Sequence, residues 1–359
     1  TWSFTDINYA IASKEDKTSM FLDYSELLNA LDSGASAKIT IYNRRINKAE
    51  FERSVLLPDK ADGLDEYRHE FNKMLTAQVT GTSNSIVRER YLTVSVVKRN
   101  ADEARSYFAR VGTDLVTHLA QLSSVAQELT LTERLHIFRD FFKAGEQAAA
   151  EFNIHEHAKR GQHFKDWLCP DSMEFAADHF KLDARYGRVL YLQDYASYIK
   201  DSFVSELCDL DRDLMLSIDI LPVPTDEAAR QLQSTLLGVE TNVANWQRRQ
   251  NANNNFTATI PYDMELQRKE TKEMLDDLTT RDQRMMFGLV TLVHLADSKE
   301  QLDSDTETLY STARKHLCQL STLRWQQKDG LDTVLPYGLR KIQALRTLTT
   351  ESTAVLIPF

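Results

Sequence analysis

Two stretches of the chain carry one pattern in one relative position, and this duplication limits the fold more than any other feature. "YLTVSVVKRNADEARSYFARVGTDL" (91–115) and "GLVTLVHLADSKEQLDSDTETLYST" (288–312) both run from an apolar, β-rich segment through a polar turn into a helix. Leu92, Val94 and Val96 alternate at the strand period. Asn100 with Glu103, and Ser298 with Gln301, have the spacing of a capping box. A repeat of about 170 residues is too long for a solenoid unit, so each copy must bury its own sheet under its own helices. The expected fold class is α+β: two related split-βαβ (ferredoxin-like) subdomains, with extra helices and a long interrupted helical hairpin.

The rest of the chain fits that order. In the first half "SFTDINYA", "AKITIYN", "AEFERSVLLP", "YLTVSVV" and "VAQELTL" read as strands. The stretches from Ser13, from Gly63 and from Asn100, together with "TERLHIFRDFF", read as helices. In the second half the strands are "RVLYLQ", "DLMLSIDILPV", "MMFGLVTLVHLA" and "STLRWQQK". "YASYIKDSFVSELCDL" and "DSKEQLDSDTETLYSTARKHL" read as its helices. A helical hairpin over 225–282 breaks at "NANNNFTATIP", whose polar loop is expected to project from the body. The divisions are 1–144 (first subdomain), 145–187 (irregular connector), 188–344 (second subdomain) and 345–359, "LRTLTTESTAVLIPF", a linker strand.

Charge and motif content narrow the chemistry. A net charge of -10 and a pI near 5.5 argue against a general electrostatic grip on nucleic acid. Three widely spaced cysteines, Cys169, Cys208 and Cys318, do not make a disulfide scaffold and suit a reducing compartment. No glycine is followed by Lys, so no phosphate loop of Walker type occurs within these residues, and no G-x-S-x-G elbow does either. His155, His157, His163 and Cys169 form the best metal-like cluster, but a two-residue spacing puts His155 and His157 on opposite sides of a helix. They read more simply as polar surface histidines in a connector. Tyr91 and Phe287 are the aromatics that the two central strands could offer to single-stranded RNA, and both are more simply core. "WQRRQ" joins Trp246 to Arg248 and Arg249 close to the projecting loop.

Several phrases resemble the N-terminal region of the conjugative-transfer ATPases of Gram-positive mobile elements, the VirB/TraE/TrbE/CagE group of type IV secretion. They are "FTDINYAIASKEDKTSMFLDYSELLNALDSG", "EFERSVLLPDKADGLDEYRHEFNKML", "MLDDLTTRDQRMMFGLVTLVHLADSKEQLD" and "RWQQKDGLDTVLPYGLRKIQALRTLTTESTAVLIPF". Together they span nearly the whole chain. The resemblance implies that 345–359 leads toward an ATPase domain outside this sequence. It implies no catalytic, cofactor-binding or metal residues here, ATP and Mg belonging to that motor domain. It also implies a docking role at the inner face of the cell membrane, on the cytoplasmic side. The implied partners are the membrane subunits of the secretion channel, the chain's own ATPase domain and further copies in a hexameric full-length protein, with no sequence-specific contact to nucleic acid. Trp246, Arg248, Arg249 and Phe256 are the candidate contact residues. The competing readings are a nucleic-acid-binding split-βαβ module and a metal-dependent hydrolase built on the His155/His157/His163/Cys169 region.

Overall fold

A computed structural model describes residues 1–45, 56–60, 62–81, 86–143, 154–161, 163–196, 198–253, 255 and 259–359. The first half runs β1 (Trp2–Phe4), α1 (Lys14–Asn29), β2 (Ala35–Arg45), α2 (Asp65–Gly81), β3 (Ile86–Val96), α3 (Ala101–Gln121), β4 (Ala126–Glu128) and α4 (Leu131–Phe142). Two short helices follow, α5 (Ile154–Lys159) and α6 (Phe164–Leu168), then the hairpin β5 (Met173–Phe175) and β6 (Phe180–Leu182). The second half runs β7 (Arg185–Asp194), α7 (Phe203–Cys208), β8 (Leu214–Pro222), α8 (Thr225–Ala252), α9 (Tyr262–Thr280), β9 (Met285–Ala296), α10 (Lys299–Lys315) and β10 (Gln319–Thr322). The last elements are α11 (Gln327–Val334), β11 (Arg346–Thr349) and α12 (Thr350–Ala354).

The duplication is visible in the strand order. The first half pairs β4-β1-β3-β2 and the second β10-β7-β9-β8, every neighbour antiparallel. In both, the third strand slots between the first and second, which is the split-βαβ arrangement. The halves then share one sheet, because β2 pairs antiparallel with β8 from Ala37 opposite Ile220 to Asn43 opposite Leu214. Each lobe's open edge is thereby covered by the other's, leaving neither free to pair elsewhere. The second strands of the two lobes lie antiparallel, so whatever follows β2 leaves one end of the seam and whatever follows β8 leaves the opposite end. Those insertions are α2 in the first lobe and the α8–α9 hairpin in the second.

Both faces of the sheet are covered. Tyr24, Leu27 and Leu28 of α1 and Leu115 and Leu119 of α3 pack beneath one face with Phe203 and Leu207 of α7 and Leu309 of α10. The helix starts are set by side chains that satisfy free backbone N–H groups: Ser13, Asn100, Thr130 and Ser298 all accept from the first turn that follows. On the other face Ile137 and Phe141 of α4 and Leu331 and Val334 of α11 meet Tyr42, Tyr91, Met215 and Val293. The apolar run of β9 is buried on both faces, as its lack of alternation requires.

Between α11 and β11 the chain crosses the seam as a strap, held by a buried polar row. Lys38 of β2 and Asp219 of β8 are register partners with a 3.5 Å ion pair. The Lys38 ammonium also donates to the carbonyls of Thr333, Leu335 (3.2 Å) and Leu339 (3.1 Å), where the C-terminal end of α11 favours a cation. Thr40 and Ser217 are 2.7 Å apart, and Ser217 donates to the Val334 carbonyl. Gly338 rests on β3 so closely that a Cβ there would lie 1.6 Å from Ser95 Oγ.

Four local expectations change. Helix in 195–210 is confined to Phe203–Cys208, because Tyr9 donates to Asp201 (2.8 Å) and ties the approach to the first lobe. The last strand of the second lobe stops at Thr322, and Trp325 takes a left-handed φ of 60° while its N–H reaches the Ala177 carbonyl (2.6 Å). The segment read as a linker strand is strand only at Arg346–Thr349: Thr349 then caps α12, and Leu356, Ile357 and Phe359 enter the core. The connector holds α5, α6 and a β-hairpin that extends the sheet past β7. Of the strand expected over 49–58, residues 49–55 lie outside the described residues.

Candidate functional site

The sequence singles out the hairpin, and its geometry is that of an arm. α8 and α9 pair along an apolar seam in which Ala228, Leu232, Val239, Val243 and Trp246 of α8 recur at three-, four- and seven-residue steps. From α9, Met264, Thr271, Met274 and Leu278 face them. Only the base of this seam joins the body, through a small cluster of Val223, Ala228, Leu232, Leu278 and Met285. Farther out the helices are tied by Glu240, which accepts from Arg268 (2.9 Å) and pairs with Lys272 (3.2 Å). Those two cations hold the Glu240 carboxyl below its ordinary range.

At the outer end Trp246 is half-buried in the seam, while Arg248 and Arg249 are exposed and make no ion pair among the described residues. Tyr262, at the start of α9, is exposed nearby in the sequence order of the hairpin. Phe256 lies outside the described residues. Trp246 is therefore a packing residue of the arm with one accessible edge, and the two arginines are its free charges. At the root of the arm a groove of about 490 Å³ opens at the end of the lobe seam, lined by Ser36, Val96, Val97, Leu221, Val223 and Phe287. Nothing in sequence periodicity marked this groove, because its walls come from four strand ends that meet only in the folded sheet.

Of the four metal-like residues, the structure describes the side chains of His163 and Cys169. His163 caps α6, its ring accepting from the Lys165 N–H (3.2 Å), and Cys169 ends the same helix. The side chains of His155 and His157 lie outside the described residues. Among the described residues, no group of three or more His, Cys, Asp or Glu is placed to hold a metal ion. Of the two strand aromatics, Tyr91 is core and donates to Glu89, and Phe287 packs at the root of the hairpin. The sheet face that a split-βαβ module offers to bases is here covered by helices.

A polar cleft of about 420 Å³ between β7, β10 and α10 was not foreseen. Arg188 organises it, donating to Asp178 (3.1 Å), Asp303 (2.7 Å) and Thr306 (2.8 Å). The Thr306 hydroxyl donates to the Leu302 carbonyl (2.7 Å), so the fully buried His294, 3.1 Å away, donates to Thr306 from Nε2. Burial, then Arg188, pushes the His294 imidazole down to about 3, which keeps it neutral. These groups spend their charges on one another and fasten α10 to the sheet.

No family model matches the chain, and no match emerges from a search of curated proteins. Among the described residues no helix is long and apolar enough to cross a membrane.

Proposed function

We propose that this chain is a non-catalytic docking domain of a conjugative-transfer ATPase of the VirB/TraE/TrbE/CagE type, acting at the cytoplasmic face of the membrane. It joins the membrane subunits of a type IV secretion channel to a motor domain that supplies ATP and Mg chemistry. The observation that supports this reading is a projecting two-helix arm rooted in a continuous sheet shared by both lobes. Force applied at Arg248 and Arg249 passes along the apolar seam of the arm into β8 and β9, then across β2 and the strap. At the centre of the polar cleft Arg188 is paired with Asp178 and Asp303, which suits a structural role for these groups.

The test replaces residues 247–261 with a short Asn-Gly turn in the full-length ATPase. Circular dichroism and melting should be unchanged, because the arm's base cluster is untouched. Co-purification with the channel's membrane subunits should be lost. An intact complex after the replacement refutes the arm as the docking element, and ATP hydrolysis by this chain alone refutes the non-catalytic reading. The nucleic-acid alternative is tested by single-stranded DNA binding across a salt series, where phosphate contacts show as affinity lost with rising salt.

A further inference from the structure

The insertion at the other end of the seam carries a second surface. Leu64, just before α2, and Tyr67, Phe71 and Met74 on it follow three- and four-residue steps, so they line one face. Their exposures lie between 45 % and 70 %, unusual for four large apolar side chains in a row. The adjoining side of α2 already has its partners: Asn72 exchanges two hydrogen bonds with Leu57 (both 2.9 Å), and Arg68 pairs with Asp62 and Asp65.

We propose that this stripe is a self-association surface, occupied by α2 of a second copy of the chain running antiparallel. The order of side chains is its own mirror about the level of His69: aliphatic, aromatic, aromatic, aliphatic. A two-fold axis there sets Tyr67 against the partner subunit's Phe71, and Leu64 against the partner subunit's Met74, as an isologous contact demands. A bilayer is the poorer occupant. Asp59, Asp62, Asp65, Glu66 and Glu70 crowd the same region, and anionic headgroups repel them. Side chains this exposed offer on the order of 100 Å² each, so two copies bury about 800–1,000 Å², the size of a weak, reversible interface. This proposal stands on the α2 face alone and does not depend on the docking reading of the arm.

Sedimentation equilibrium of the chain up to about 100 µM should show a monomer–dimer equilibrium with Kd on the order of 10–100 µM. Tyr67→Glu and Phe71→Glu, both at exposed positions, should each raise Kd at least tenfold with unchanged circular dichroism and melting. In a Cys169→Ser background, a mixture of Tyr67→Cys and Phe71→Cys chains should form a disulfide dimer faster than either alone, which reports the antiparallel register. A chain that stays monomeric throughout overturns the proposal, as does a dimer that Tyr67→Glu leaves intact. Equal crosslinking of the separate variants overturns the register. Tyr67-dependent binding to phosphatidylglycerol vesicles without self-association assigns the face to lipid instead.

Discussion

Lys38→Met tests whether the seam between lobes is a fixed joint. In the folded chain the Lys38 ammonium satisfies the carbonyls of Thr333, Leu335 and Leu339 and is the cation paired with Asp219, whose Oδ2 has no hydrogen-bond partner among the described residues. Methionine matches the stem in length but leaves the carboxylate and the carbonyls unanswered. Removing one member of a buried pair typically costs about 3–5 kcal/mol. Unfolding entropy for 359 residues is about 0.75 kcal/mol/K, so a loss of about 4 kcal/mol lowers Tm by about 5 °C. Asp219→Asn should be milder, since Lys38 keeps its carbonyls.

The pH dependence of this variant has a definite sign. Burial, opposed by Lys38, pushes the Asp219 carboxyl up to about 6, above its ordinary 3.8. A carboxyl raised on folding contributes stability that is fully present below 3.8 and lost as pH rises through about 6. Without Lys38 the carboxyl rises further, so the deficit of Lys38→Met relative to wild type should narrow between pH 7 and pH 5. Differential scanning calorimetry of both proteins at the two pH values measures it, and carboxylates elsewhere cancel in the difference. A deficit that is flat with pH, or smaller than that of Asp219→Asn, refutes the account of the seam.

Two further stability predictions follow from the strap and the chain's last residues. Gly338→Ala should destabilise by about 1–3 kcal/mol through the clash with Ser95, and Ser95→Gly should rescue it in the double variant, because the next obstacle, the Ser95 Cα, is 3.9 Å away. Urea melts of the four proteins close the cycle, and additive losses would show that the two residues do not touch. Phe359 stacks edge-on against Phe4 (5.7 Å) and Tyr24 (6.3 Å) in the core, so Phe359→Ala should cost about 3 kcal/mol, read as a lowered urea midpoint.

Periodicity made the long elements legible, because α1, α3, α8, α10, β3, β8 and β9 each bury one stripe, one face or both faces and record it in their spacing. The duplication was legible for the same reason: two capped helices each follow a β-rich run. The joining of the lobes was not. β2 alternates Ile39 and Ile41 with Lys38 and Thr40, which looks like a half-solvated strand, yet Lys38 and Thr40 are buried under a strap contributed by residues about 300 positions later. Short elements were misread where a contact overrides propensity, as at Asp201, Trp325 and Thr349. In the candidate site, Trp246 and the arginines were placed near a projecting loop from sequence alone. The groove at the root of the arm needed the fold, and the stripe on α2 needed a count of heptad spacing across 64–74.

The antiparallel pairing of β2 with β8 gives the duplication a mechanical consequence. Two copies of one lobe, joined through equivalent strands, send their one variable insertion toward opposite ends of a shared sheet. Divergence then needs no change in the core: one insertion lengthened into a polar-faced arm with free arginines, and the other kept a short helix with an apolar outer face. Partners bound at the two ends stay at a fixed separation, since motion of one lobe relative to the other breaks the seven residue pairs of the β2–β8 ladder, the Lys38–Asp219 pair and the strap together. Spectroscopic distances between labels on α2 and on the arm should therefore stay constant when either end is occupied. A shift of several ångströms on occupancy would place a hinge in the seam and remove the basis for reading this fold as a rigid coupler.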